Sequence, residues 1–251
     1  MARQNGILKV TGKLDDLSFY KSKEGYLVRT KGGVPKERIQ NDPAFVRTRE
    51  NGAEFGQSAY AGKLLRVAVR NMLLNAGDGR VTSRLTQVMS KVKNYDLTSA
   101  RGDRKVAIGL ADDAAKALLK GFNFNNRALL GTVLFAPYTL DTATGEIDMA
   151  SLNTANDISS ATGATHVSLQ AGFLDLDFET GISDIQYSPK VNLPVENVAT
   201  SATLTPVAAP VGTGNKFYLL MIEFFQEING VQYSLKNGAY NVLAIVGVDS
   251  I

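Results

Sequence analysis

The chain has 251 residues, 44% hydrophobic and 20% charged, with no cysteine and a single histidine. This suits a globular protein with length for a sizeable core, and it excludes disulfides, thiolate nucleophiles, Cys-ligated zinc and multi-histidine metal sites. The net charge of +3 conceals a split: residues 1–130 carry 24 Lys/Arg against 12 Asp/Glu, a net of +12, whereas residues 131–251 carry 3 against 12, a net of −9. So polarised a chain suggests an anionic partner for the first half or complementarity between copies.

No run approaches the ~20 apolar residues of a membrane span, and the start MARQNGILKV has no apolar signal core. A cytoplasmic protein without a membrane partner is expected, with a virion-associated place left open.

Residues 6–34 alternate and turn like strands. Leu17, Phe19 and Tyr26-Leu27-Val28 flank KSKEG, a glycine-containing connection suited to a hairpin, and Gly32, Gly33 and Pro35 then mark a loop. Asp42-Pro43 starts a helix, since aspartate accepts free N–H groups at the N-cap and proline at the first helical position loses nothing. The helix should reach about Asn75, where NAGDG stops it. Gly52, Gly56 and Gly62 inside it each cost ~1 kcal/mol against alanine, so close packing by another element, or a break, is expected there.

A second helix, about Thr82 to Lys93, is amphipathic through Val81, Leu85, Val88, Met89 and Val92. A third, about Asp112 to Lys120, has acidic residues first, lysines late and Gly121 as a stop, matching the helix dipole. The segment between them, read as loop or strand, contains Arg101-Gly102-Asp103, a tripeptide whose chance frequency is too high to imply adhesion.

From Phe122 the pattern becomes β. DTATGEI is a turn, with Asp141 to cap it and Gly145 for positive φ. HVSLQAGFLDLDFETG alternates, placing Leu174, Leu176 and Phe178 inward and Asp175, Asp177 and Glu179 outward as an acidic ladder. Asn229-Gly230 is a hairpin signal between KFYLLMIEFFQEI and VQYSL, and Asn237-Gly238 leads into AYNVLAIVGVDSI, which should lie in the core. MASLNTANDISSATGAT and NVATSATLTPVAAPVGTGN, small and polar, read as loops or as extended segments ordered only by a neighbour. The expected fold class is α+β: an N-terminal hairpin arm (1–42), a helical region (43–121) and an antiparallel β-sandwich of immunoglobulin-like proportions (122–251).

GKLDDLSFYKSKEGYLVRTKGG followed by DPAFVRTRENGAEFG resembles an uncharacterised bacterial family with a Leu-Ser-Phe-Tyr-Lys, Gly-Tyr-Leu-Val-Arg and Asp-Pro-x-Phe-x-Arg-Thr-Arg-Glu-Asn pattern. The likeness covers about residues 6–75, implies no activity and carries over no catalytic residue.

No catalytic motif stands out. His166 reads as a solvated or edge-strand residue, VGTGNK lacks the spacing and the following helix of a phosphate loop, and side chains at i, i+2 and i+4 of one strand, as in the acidic ladder, lie too far apart to chelate a cation unaided. No cofactor, metal or small-molecule substrate is indicated. A non-enzymatic structural protein that self-assembles into a filament, tube or virion-associated layer is expected, with head-to-tail contact between basic and acidic faces; the charge split is accounted for equally by the helical half docking on the acidic sheet of its own chain. The alternative is nucleic-acid binding by the basic half, its arginines on phosphates and its aromatics on bases. The candidate interface residues are Arg47, Arg49, Glu50, Arg66, Arg70, Phe19, Tyr20, Asp175, Asp177 and Glu179. Arg47–Glu50 and Glu50–Glu54 fall at helix-neighbour spacings, so part of this charge is locally paired.

Overall fold

The computed structural model describes residues 2–30, 32–235 and 239–249; the Asn237-Gly238 turn lies outside them. The chain is α+β, an N-terminal hairpin sheet and helices preceding a curled C-terminal antiparallel sheet. It divides into two compact units, residues 1–49 and 50–251.

The first unit is a four-stranded antiparallel sheet followed by short helical turns. Its strands are β1 (Ala2–Arg3), β2 (Gly12–Leu14), β3 (Leu17–Ser22) and β4 (Gly25–Thr30), in the order β1-β4-β3-β2. The expected hairpin is its centre, with Phe19 opposite Val28 and Ser22 opposite Gly25. Lys36–Asn41, expected as loop, forms helix α1, and a 3-10 turn follows at Pro43–Phe45. Asp42 caps that turn as its chemistry requires, accepting from the Ala44 N–H at 2.9 Å.

Helix α2 (Val46–Ala68) follows, and the unit boundary falls at Arg49/Glu50. The single helix expected to Asn75 divides at Val69 rather than at a glycine, continuing as α3 (Arg70–Ala76). Gly62 alone of its three glycines meets another element: a Cβ there would touch Leu85 at 3.5 Å, while Gly52 and Gly56 face open space. The expected smooth packing side is therefore confined to its C-terminal half. Then come α4 (Val81–Val92), α5 (Val106–Gly109), α6 (Asp113–Leu119), capped by Asp112, and α7 (Leu130–Val133) within the run expected as strand.

The strands of the second unit are β5 (Thr139–Leu140), β6 (Ile147–Asn153), β7 (His166–Leu176), β8 (Ser183–Tyr187), β9 (Val191–Pro194), β10 (Ala199–Leu204), β11 (Asn215–Ile228), β12 (Val231–Ser234) and β13 (Val242–Asp249). The long strands β7 and β11 pair antiparallel down the middle of a six-stranded sheet. Strands β8 and β9 share the far side of β7, and β12 and β13 share the far side of β11. The β11–β12 turn has Asn229 and Gly230 both at positive φ, the geometry that lets a two-residue hairpin follow the strand twist.

The two faces of this sheet are covered differently. Phe217, Leu219, Met221, Leu243 and Ile245 pack against Leu65, Met72, Leu85 and Met89 of the helices. Tyr218, Leu220, Ile222, Phe224, Phe173 and Leu169 pack against Ile147, Met149 and Leu204 of a small sheet ordered β10-β6-β5. The helical region and the sandwich thus share a core in one unit, because the apolar stripes of the helices have this sheet as their partner. The two small polar segments supply β6 and β10, which pair with each other in this same chain.

Covering both faces also overturns the inward–outward reading of HVSLQAGFLDLDFETG. Strand β7 is buried along nearly its whole length, Asp175 included at 2% exposure. His166 is not at a sheet edge: it lies opposite Phe225 on one side and Pro194 on the other.

Candidate functional site

The arm sheet, residues 2–30, has two unlike faces. Cross-strand partners share a face, so Gly12, Phe19, Val28 and Ala2 form one row, with Leu14, Leu17 and Thr30 beside it. The opposite face carries Lys13, Ser18 and Arg29, then Arg3, Leu27 and Tyr20. The first face is thus mainly apolar, although Lys21 and Tyr26 end it, and the other is basic, as a period-two strand pattern dictates. Phe19 and Tyr20, adjacent in β3, point to opposite faces and cannot stack bases together; the Arg29 guanidinium lies 5.5 Å from the Tyr20 ring centre.

Not one described residue of 2–49 is buried. Leu14 is 66% exposed, and beyond the sheet Ile7 and Leu8 are 102% and 86% exposed. The Ile7–Leu8 loop is nonetheless closed at its base. The Gln4 side-chain oxygen accepts from the Val10 N–H at 2.9 Å, its amide donates to the Val10 carbonyl at 3.0 Å, and Lys9 donates to the Gln4 carbonyl. A single carboxamide thus presents two aliphatic side chains on a formed tip.

The arginines serve different ends. Arg49 donates to the carbonyls of Ile39 (2.8 Å) and Asp42 (3.0 Å), fixing the turn between α1 and α2. Arg47 and Arg70 are exposed, and Arg66 is half-buried with its Nε shielded from solvent. Glu50 pairs with Arg101 at 3.2 Å.

Behind Glu50 lies a network the sequence reading missed. Glu54, on the inward stripe of α2 with Ser58, Ala61 and Leu65, pairs with buried Lys93. It also accepts from the Gly102 N–H at 2.9 Å, with Arg104 at 3.9 Å. The Lys93 bond, then that of Gly102, holds the Glu54 carboxyl below its ordinary range against the opposing effect of burial. Asp96 is fully buried and accepts from Thr98, Ser99 and the Lys105 N–H. Burial pushes its carboxyl up, but these bonds outweigh it and keep the group well below the usual carboxylate range. The Arg-Gly-Asp loop is therefore tied down by its own arginine and glycine. A charged residue in register with Ala61 and Leu65 on one helical stripe was the available signal.

The acidic ladder is not assembled. Asp175 accepts from the Gly214 N–H at 3.0 Å, while its Oδ2 is buried without a hydrogen-bond partner. Asp177 lies past the strand end and shapes a turn, accepting from the Glu179 N–H (2.7 Å) and the Thr180 hydroxyl (2.7 Å). Glu179 is exposed and reaches Lys105 at 3.5 Å. The VGTGNK loop directs N–H groups of Val211 and Gly214 at Asp184 and Asp175, so it meets carboxylates rather than phosphate. Among the described residues no group of three or more His, Cys, Asp or Glu is placed to hold a metal ion, and no helix is long and apolar enough to cross a membrane.

Within the second unit, two adjoining hollows of about 320 and 510 Å³ share Ala107, Phe178 and Glu179. Tyr60 and Gln57 of α2 line the first, and Ala111, Asp177 and Thr213 line the second. No family model matches the chain, and no curated protein or solved structure matches it.

Proposed function

We propose that this is a non-enzymatic structural protein whose copies assemble, as a filament, tube or virion-associated layer, through the N-terminal arm. The supporting observation is the contrast in burial between the two units. Residues 50–251 have apolar cores on both faces of their main sheet, whereas residues 2–49 form a sheet and short helical turns in which no described residue is buried and one sheet face is mainly apolar. A sheet of this size gains independent stability only by covering such a face. The arm carries 11 Lys/Arg against 5 Asp/Glu, and residues 131–251 have a net of −9, so a neighbouring copy offers a complementary surface.

The test is sedimentation and negative-stain microscopy of the full chain, alone and with DNA, beside Leu14→Glu and Leu17→Glu variants. Regular assemblies without nucleic acid that the variants lose are the expected result. The second reading, nucleic-acid binding, draws on the basic arm face bearing Arg3, Lys13, Arg29 and Tyr20. A monodisperse protein retained on DNA at low salt and released steeply as salt rises would overturn the assembly reading in its favour.

A further inference from the structure

We propose that Asn5 is a site of spontaneous covalent modification, converting to isoaspartate and aspartate in the folded protein. The fold protects the two other Asn-Gly pairs among the described residues, Asn51-Gly52 and Asn229-Gly230. The chemistry needs only the chain and water. The Gly6 backbone nitrogen attacks the Asn5 side-chain carbonyl carbon, and the new C–N bond closes a succinimide ring. The proton of that nitrogen leaves with the side-chain amide group as ammonia. Water then opens the ring at either carbonyl, so a carboxylate stands where a neutral carboxamide was. Glycine suits the attacking position because it has no Cβ to hinder the approach or restrict the backbone.

The three pairs differ in what their backbone is doing. Asn5 and Gly6 are both exposed and lie outside any helix or strand. Among the described residues nothing accepts from the Gly6 N–H and nothing holds the Asn5 carboxamide, so nitrogen and side chain are free to meet. Asn51 lies in α2, where its side-chain oxygen accepts from Arg101 at 3.2 Å and the Gly52 N–H belongs to the helical ladder. Asn229 and Gly230 are fixed at positive φ in the β11–β12 turn, with Ile228 opposite Val231 on either side. Both of these pairs must open locally before a ring can close. The consequence at Asn5 falls on the loop that Gln4 closes onto Val10. Isoaspartate carries the main chain through the side-chain carbon, which lengthens that loop by one methylene and gives the basic arm a new negative charge.

The test incubates the full chain at mildly alkaline pH, folded and in urea, and follows tryptic peptides by mass spectrometry. Peptides 4–9, 50–63 and 217–236 each hold one of the three pairs. In the folded chain, peptide 4–9 should convert at least about tenfold faster than the other two, the factor that each ~1.4 kcal/mol of local opening imposes. In urea the three rates should converge. Equal rates in the folded chain, or a spread that persists in urea, overturn the role given to the fold. Gly6→Ala supplies the chemical control, because an added Cβ meets only the Leu8 carbonyl oxygen at 3.8 Å and Gly6 lies outside the left-handed region. Conversion of Asn5 in that variant should slow by about tenfold or more, and an unchanged rate overturns ring closure through the Gly6 nitrogen. Exchange of the Val10 amide hydrogen, which bonds Gln4 at 2.9 Å, should quicken in converted protein. Unchanged exchange overturns the loosening of the loop.

Discussion

Replacing Glu54 by glutamine should be among the most damaging conservative changes in this protein. The carboxylate is 6% exposed and faces Lys93, whose side chain is 11% exposed, so neither charge has water to fall back on. The carboxamide in Glu54→Gln can still accept from the Gly102 N–H, but it leaves Lys93 without its counter-charge and removes the carboxylate near Arg104. Orphaning one member of a buried pair costs about 3 kcal/mol. For a unit of this size that corresponds to a fall in Tm of about 6–12 °C. Urea unfolding monitored by circular dichroism reads the loss directly, with an unchanged m-value showing that it is a change in stability. Adding Lys93→Met removes the orphan, and the double variant should recover to within about 1 kcal/mol of the parent. A loss below about 1 kcal/mol for Glu54→Gln, or no recovery in the double variant, would refute the assignment of this pair as the tie between α2 and the end of α4.

Asp96 should govern part of the acid response. Its folded-state pKa is depressed, so its contribution is complete above pH ~5 and is lost as pH falls through the folded value; Asp96→Asn should cost about 2 kcal/mol at neutral pH and flatten the acid limb of a stability–pH curve. Gly145 has φ +75° and lies under Phe173, where a Cβ would come within 2.6 Å of the ring, so Gly145→Ala should lose about 2 kcal/mol or more in thermal unfolding. Gly230 has positive φ and open space around it, so Gly230→Ala should cost only about 1 kcal/mol, the strain without the clash. Arg101→Ala removes a half-exposed partner of Glu50 and should shift urea stability by less than about 1 kcal/mol, while a cell-attachment assay should show no difference from the parent.

Much of the local chemistry was legible. Asp42 and Asp112 cap the segments they precede, Asp141 and Gly145 build their turn, and Asn229-Gly230 reverses the chain between β11 and β12. Each is decided within four residues by a side-chain oxygen or a positive φ. The candidate site was legible only in part. The basic excess of the arm and its alternating strands were plain, but the Gln4 clamp under the Ile7–Leu8 tip gave no signal, since a lone glutamine has no pattern.

Sequence alone thus determined the long helices and strands, the main turns, the charge polarity and the α+β class, because those depend on neighbours along the chain. Tertiary structure decided which faces are covered. Alternation in β7 could not announce that helices lie on one side and the β6–β10 sheet on the other, so Asp175 was assigned to solvent and is buried. Nor could it pair Ala199 with Asn153, Glu54 with Lys93 or Asn241 with Asn75, since each contact joins segments tens of residues apart. Burial belongs to both partners of a contact, and a one-dimensional pattern reports on only one of them.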